Sequence, residues 1–135
     1  MTTDSPRRPP GPLLLALLLV VVEAGALLAL SIGMLAEVLG GSAEATAFTS
    51  VLALIFIGIV ALLFAAVRAL FQGRRWGRGP VVTWQLLVFA IGVSQGDLTW
   101  LVVLLVVLPV AVTVGLLVPA SVEWTNRPTP PRAVA

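Results

Sequence analysis

The sequence predicts an all-α membrane protein, a four-transmembrane-helix bundle with N and C termini cytoplasmic. Three observations carry that expectation. Of the 135 residues 59% are apolar and only 10% are charged, against about 25% charged in a soluble domain. Mean hydropathy is +1.11. Finally, the apolar residues gather into four long runs, and the arginines fall between them in a one-sided pattern.

The first run covers residues 13–39, the second 47–71, the third 80–95 and the fourth 98–122. At about 1.5 Å per residue the first, second and fourth exceed a hydrocarbon core of about 30 Å. The third gives only about 24 Å and needs its flanks, or local thinning, to cross. The flanking stretches 1–12 and 123–135 are Pro-rich and polar, and are expected to be disordered cytoplasmic tails. The basic start and the Ala43-Glu44-Ala45 tripeptide suggest a signal peptide. The first run is longer than a signal core of 7–15 residues, so an uncleaved span is expected.

Orientation follows from the arginines. Arg7 and Arg8 precede the first run, Arg68, Arg74, Arg75 and Arg78 separate the second from the third, and Arg127 and Arg132 follow the fourth. The other two connections carry Glu44 and Asp97, with Glu37 close by. Basic residues near span ends remain cytoplasmic, so both acidic connections are expected outside. Trp76 and Trp124 fall at the inner face, Trp100 at the outer face and Trp84 one turn inside, all read as interfacial anchors. Close helix contacts in lipid favour small residues. The candidates are Gly25, Ala29 and Gly33; Gly58, Ala61, Ala65 and Ala69; and Ala111 with Gly115. In the third run Gln85, Val88, Gly92 and Gln95 form a stripe expected to face the interior.

The chemistry available is narrow. There is no Cys, His, Lys or Tyr, which removes thiol chemistry, the commonest metal ligand and the commonest general base. Neither a phosphate-binding loop nor a metalloprotease motif occurs. An enzyme is not expected, and neither a cofactor nor a metal site.

Glu23 stands out as a carboxyl about 15 Å inside the first run, near the midplane. Charge at that depth costs about 2.5–3.5 kcal/mol on insertion scales, and such residues usually have a function. Glu23, Gln85 and Pro109 form the candidate intramembrane proton or hydrogen-bond site. Pro109 frees the carbonyl of Leu105, to which a protonated Glu23 could donate, with Gly58 at a similar level. Gln85 sits about 7 Å nearer the cytoplasm, so a bridging water or a helix tilt is expected between it and Glu23. Arg74, Arg75 and Arg78 form a candidate lipid or partner patch. Expected partners are the lipid bilayer, other membrane subunits or a second copy of the chain; nucleic acid is not expected, because the net charge is only +2.

The stretch Gly-Arg-Arg-Trp-Gly-Arg-Gly-Pro-Val-Val-Thr-Trp-Gln-Leu-Leu (73–87) resembles small four-span integral membrane proteins of unknown function from high-GC Gram-positive bacteria. That resemblance implies a multi-pass protein of a bacterial plasma membrane and no particular activity. Val-Glu-Ala-Gly (22–25) is similar to the first helix of small multidrug resistance transporters, which carry a membrane-embedded Glu there. This second likeness implies proton-coupled transport through Glu23. The chain departs from that pattern in lacking Lys and Tyr and in its one-sided arginines. The expected function is therefore a non-enzymatic accessory or partner-binding bundle, with a proton-coupled small-molecule transporter as the alternative.

Overall fold

A computed structural model describes residues 8–41, 46–94 and 99–126. The described residues are helical apart from short turns, and no strand occurs among them. The helices are α1 (Gly11–Leu39), α2 (Thr46–Phe71), α3 (Arg78–Ser94), α4 (Trp100–Leu117) and α5 (Pro119–Thr125), with a single 3-10 turn at Arg75–Gly77. Three of them, α1, α2 and α4, are long and apolar enough to cross a membrane. α3 has 17 residues.

The helix limits follow local chemistry. α1 opens on Gly11 with Pro12 in its first turn, where a missing N–H costs nothing. It closes through Gly40 into Gly41 at φ +70°, the left-handed cap that Gly adopts without strain. α2 closes in the same way: Gly73 has φ +78°, Gly73 N–H donates to Leu70 O and Arg74 N–H to Ala69 O. Residues 11 and 12, read as tail from the sequence, thus belong to α1.

The fourth apolar run is two helices rather than one. Val118 is extended, with φ −54° and ψ 137°, because a residue preceding proline is driven out of the helical region. Pro119 then starts α5, which carries residues 123–125 into a helix. Pro119 has no N–H for the carbonyl of Gly115 four residues earlier; the hydroxyl of Ser121 donates to that carbonyl instead, at 2.7 Å. The break is therefore satisfied by a side chain two residues beyond it.

α1 packs along α2 and α4, α3 packs along α4, and a smaller contact joins α2 to α3. The core lies at the end that carries the arginines. Leu13, Ala16, Leu17, Val20 and Ala24 of α1 meet Leu63, Ala66 and Leu70 of α2, Val81 of α3, and Val112 and Leu116 of α4. Two glycines allow the close approaches. A Cβ on Gly77 would lie 2.5 Å from Ala66 O, and one on Gly115 would lie 3.0 Å from both Ala16 Cβ and Pro12 O.

The small residues expected to mark close contacts mostly do not. A Cβ on Gly25, Gly33 or Gly58 would meet nothing within 4 Å, and Ala29, Ala61, Ala65 and Ala111 are exposed. Ala69 and Gly115 are packed as expected. The reason is rotational. The buried stripe of α1 runs through Leu13, Ala16, Val20, Ala24 and Ser31, and each residue is turned about 100° from its neighbour, so Gly25 lies beside this stripe rather than on it. Much of the outer surface is apolar, with Leu15, Leu30, Ile32 and Leu54 more than half exposed. The hydroxyls of Ser31 and Ser50 bond back to their own helices, to Leu27 O and Thr46 O at 2.7 Å each, which satisfies them without an outside partner.

Candidate functional site

Glu23 and Gln85 meet directly. Gln85 Nε2 donates to Glu23 Oε2 at 2.7 Å, joining α3 to α1. Neither a bridging water nor the Leu105 carbonyl takes part in this contact. The expected 7 Å offset is removed by the connection between α2 and α3. After Gly73 the chain turns back, and Gly77 packs against Ala66 and Leu70. Ala66 lies five residues inside the end of α2, a step of about 7 Å. α3 therefore starts below the end of α2, and Gln85 is carried inward to the level of Glu23. The same step lets a helix of 17 residues reach the far contacts at Gly92.

Gln85 is fully buried and Glu23 half-buried. One oxygen of each is left over: Glu23 Oε1 and Gln85 Oε1 are buried without a hydrogen-bond partner among the described residues. The indole of Trp84 lies beside the same carboxyl, but its buried Nε1 closes no hydrogen bond. Trp84 also packs against the core, which corrects its reading as a lipid anchor. The site thus offers one made bond, two spare acceptors and one spare donor. Such a set can hold a proton or a hydrogen-bonding guest. No group of three or more metal-ligating side chains is found among the described residues.

Pro109 is buried on α4. It lines a shallow groove of about 230 Å³ with Gln85, Leu86, Phe89 and Thr113, so Gln85 links the carboxyl to the proline. The Leu105 carbonyl faces elsewhere: it lies 3.3 Å from where a Cβ on Gly92 would stand. Gly58 is exposed and has no neighbour at that position. Of the expected interior stripe on α3, Gln85 and Gly92 are buried and Val88 is half-buried; Gln95 lies outside the described residues.

The arginine patch divides. Arg74 and Arg75 are exposed. Arg78 turns inward and its Nη2 donates to Ser121 O at 2.9 Å, tying the start of α3 to α5. Trp124 on α5 donates its indole N–H to Leu70 O at 3.3 Å, and its carbonyl oxygen lies 3.3 Å from where a Cβ on Gly73 would stand. Arg78, Ser121 and Trp124 therefore clamp α5 and the α2–α3 connection together. The sequence contained a signal for part of this, since a serine two residues after a proline within an apolar run, as Ser121 follows Pro119, is placed to serve the carbonyl that the proline leaves without a donor. Trp76 and Trp100 are 50% and 78% exposed, a disposition that suits interfacial anchors. Glu44, Asp97, Arg7, Arg127 and Arg132 lie outside the described residues.

Comparison with protein-family models, with curated proteins and with solved structures gives no match.

Proposed function

We propose that this chain is a four-span protein of a bacterial plasma membrane, with both termini cytoplasmic, that serves as a non-enzymatic accessory or partner-binding bundle. The observation that supports partner binding most is the set of small residues without neighbours. Gly25, Gly33 and Gly58 have open space where a side chain would stand, and Ala29 is exposed on the same helix as Gly25 and Gly33. Small residues let membrane helices approach closely, so this surface suits the helix of another subunit or of a second copy. The polar contact of Gln85 with Glu23 joins α3 to α1 within the chain and fits a structural cross-link.

The test is co-purification in mild detergent with mass spectrometry, comparing the natural chain with a Gly25→Leu/Gly33→Leu variant. A partner or second copy that is lost in the variant is the expected result; a monomeric mass in both would reject the reading. Topology is checked separately, because a cysteine-free chain permits clean single-Cys labelling. An impermeant maleimide added outside should label Ala47→Cys and Thr99→Cys but not Gln72→Cys or Asn126→Cys.

The unpartnered Oε1 atoms of Glu23 and Gln85 favour a second reading, a proton-coupled transporter that uses Glu23. Glu23→Gln preserves the shape but removes the proton site. Transport of a substrate down an imposed proton gradient should stop in that variant, and coupling that persisted unchanged would exclude the residue.

A further inference from the structure

We infer that the cleft between α1 and α2 at the arginine end is a binding site for an anionic phospholipid, with one acyl chain in the cleft and the phosphate on Arg68. The cleft is an open groove of about 590 Å³. Its walls are Leu14, Leu18 and Val21 on α1 and Phe64 and Phe71 on α2, and Arg68 is its one charged lining residue.

Two features select the occupant. The first is charge. Arg68 is exposed, lies in the last turn of α2 and forms no ion pair or hydrogen bond among the described residues. α1 carries no acidic side chain between Gly11 and Val22, and Glu23 is engaged by Gln85. An Arg one turn inside the boundary lays its stem along apolar surface and carries its head to the headgroup layer, where the available anion is a lipid phosphate. Arg8, Arg74 and Arg75 are exposed at the same end and add to the field that attracts such a lipid.

The second feature is length. Leu14 to Val21 spans seven residues, about 10 Å, which is within one leaflet of a core about 30 Å thick. A partner helix needs a seam across both leaflets. A lipid chain needs only one, and it brings its negative charge to the end where Arg68 stands. Arg68, rather than the patch of Arg74, Arg75 and Arg78, is therefore the headgroup contact.

The site rests on the four-span reading for its place in the cytoplasmic leaflet. The experiment is native mass spectrometry of the full chain in detergent, titrated with phosphatidylglycerol and with phosphatidylcholine of the same chains. One arginine at an anionic surface corresponds to a preference of about fivefold for phosphatidylglycerol. Arg68→Gln should abolish that preference, Arg68→Lys should keep most of it, and Arg74→Gln/Arg75→Gln should leave it largely intact. Leu18→Trp, which fills the groove, should weaken both lipids. Equal binding of the two lipids by the natural chain overturns the site. So does a preference that survives Arg68→Gln but is lost in the double variant, or a second polypeptide retained in the groove and removed by Leu18→Trp. Failure of the four-span reading shows itself elsewhere, as outside labelling of Gln72→Cys, and leaves the lipid measurement to stand by itself.

Discussion

Glu23 and Gln85 divide the molecule into two halves that are built from the same kinds of residue and packed differently. On the arginine side, Leu63, Leu70, Leu116 and Val81 are at most 1% exposed, Gly77 and Gly115 touch backbone, and α5 closes the end through Arg78, Ser121 and Trp124. On the other side burial is sparser: Ala24 and Pro109 are buried at the boundary, and Ser31, Ala53 and Gly92 are buried farther out. Leu30, Ile32, Leu54 and Val103 are exposed there. Hydropathy does not separate the halves, since α1 and α2 run through both. Packing does. Lipid solvates an apolar helix as well as another helix does, so burial has to come from close contact and polar ties, and those are concentrated at the arginine end.

The largest test of this contrast is truncation of a core leucine. Leu70→Ala should destabilise by about 2–5 kcal/mol, while Leu30→Ala should change stability by less than about 0.5 kcal/mol. Both can be read from unfolding in mixed micelles followed by circular dichroism, and equal losses would erase the distinction between the halves.

Gly77→Ala comes next. Its Cβ would press on the Ala66 carbonyl, an overpacking cost of about 1–3 kcal/mol. The substitution should also push α3 outward and separate Gln85 from Glu23. A cross-link between cysteines placed at positions 23 and 85 reports that separation as a lower yield.

The boundary pair should behave non-additively. Gln85→Leu leaves a carboxyl oxygen without its donor, a loss of about 1–3 kcal/mol. Removing both groups with Glu23→Leu/Gln85→Leu should restore much of that loss, because two apolar groups replace a bonded pair. A double variant as unstable as the sum of the singles would mean that the two residues do not act together.

The smallest effect belongs to the open half. Gly25→Ala and Gly58→Ala meet no atom within 4 Å and should be neutral or stabilising, by at most about 1 kcal/mol. A clear loss in the isolated chain would show that this half is more tightly packed than its contacts indicate.

The first two apolar runs were legible almost to the residue, because a long apolar run bounded by Gly or polar residues leaves the backbone one way to satisfy itself in lipid. Glu23 and Gln85 were legible as the polar residues that had to find partners. Their direct bond was not, since it depends on how far Gly77 sinks along α2. Choosing the packed glycines was beyond the sequence for a related reason: Gly25, Gly33 and Gly115 share the same small-residue spacing, and only the rotation of each helix selects Gly115. Arg78 was likewise indistinguishable from Arg74 and Arg75 until α5 folded back to present the Ser121 carbonyl. The helices, their apolar character and the residues unable to face lipid can be read along the chain, because they follow from composition and backbone hydrogen bonding. Axial offset and rotation, and through them which polar and small residues meet, come from packing between the helices, because apolar surroundings exert little pull of their own between apolar helices and leave that choice to steric fit.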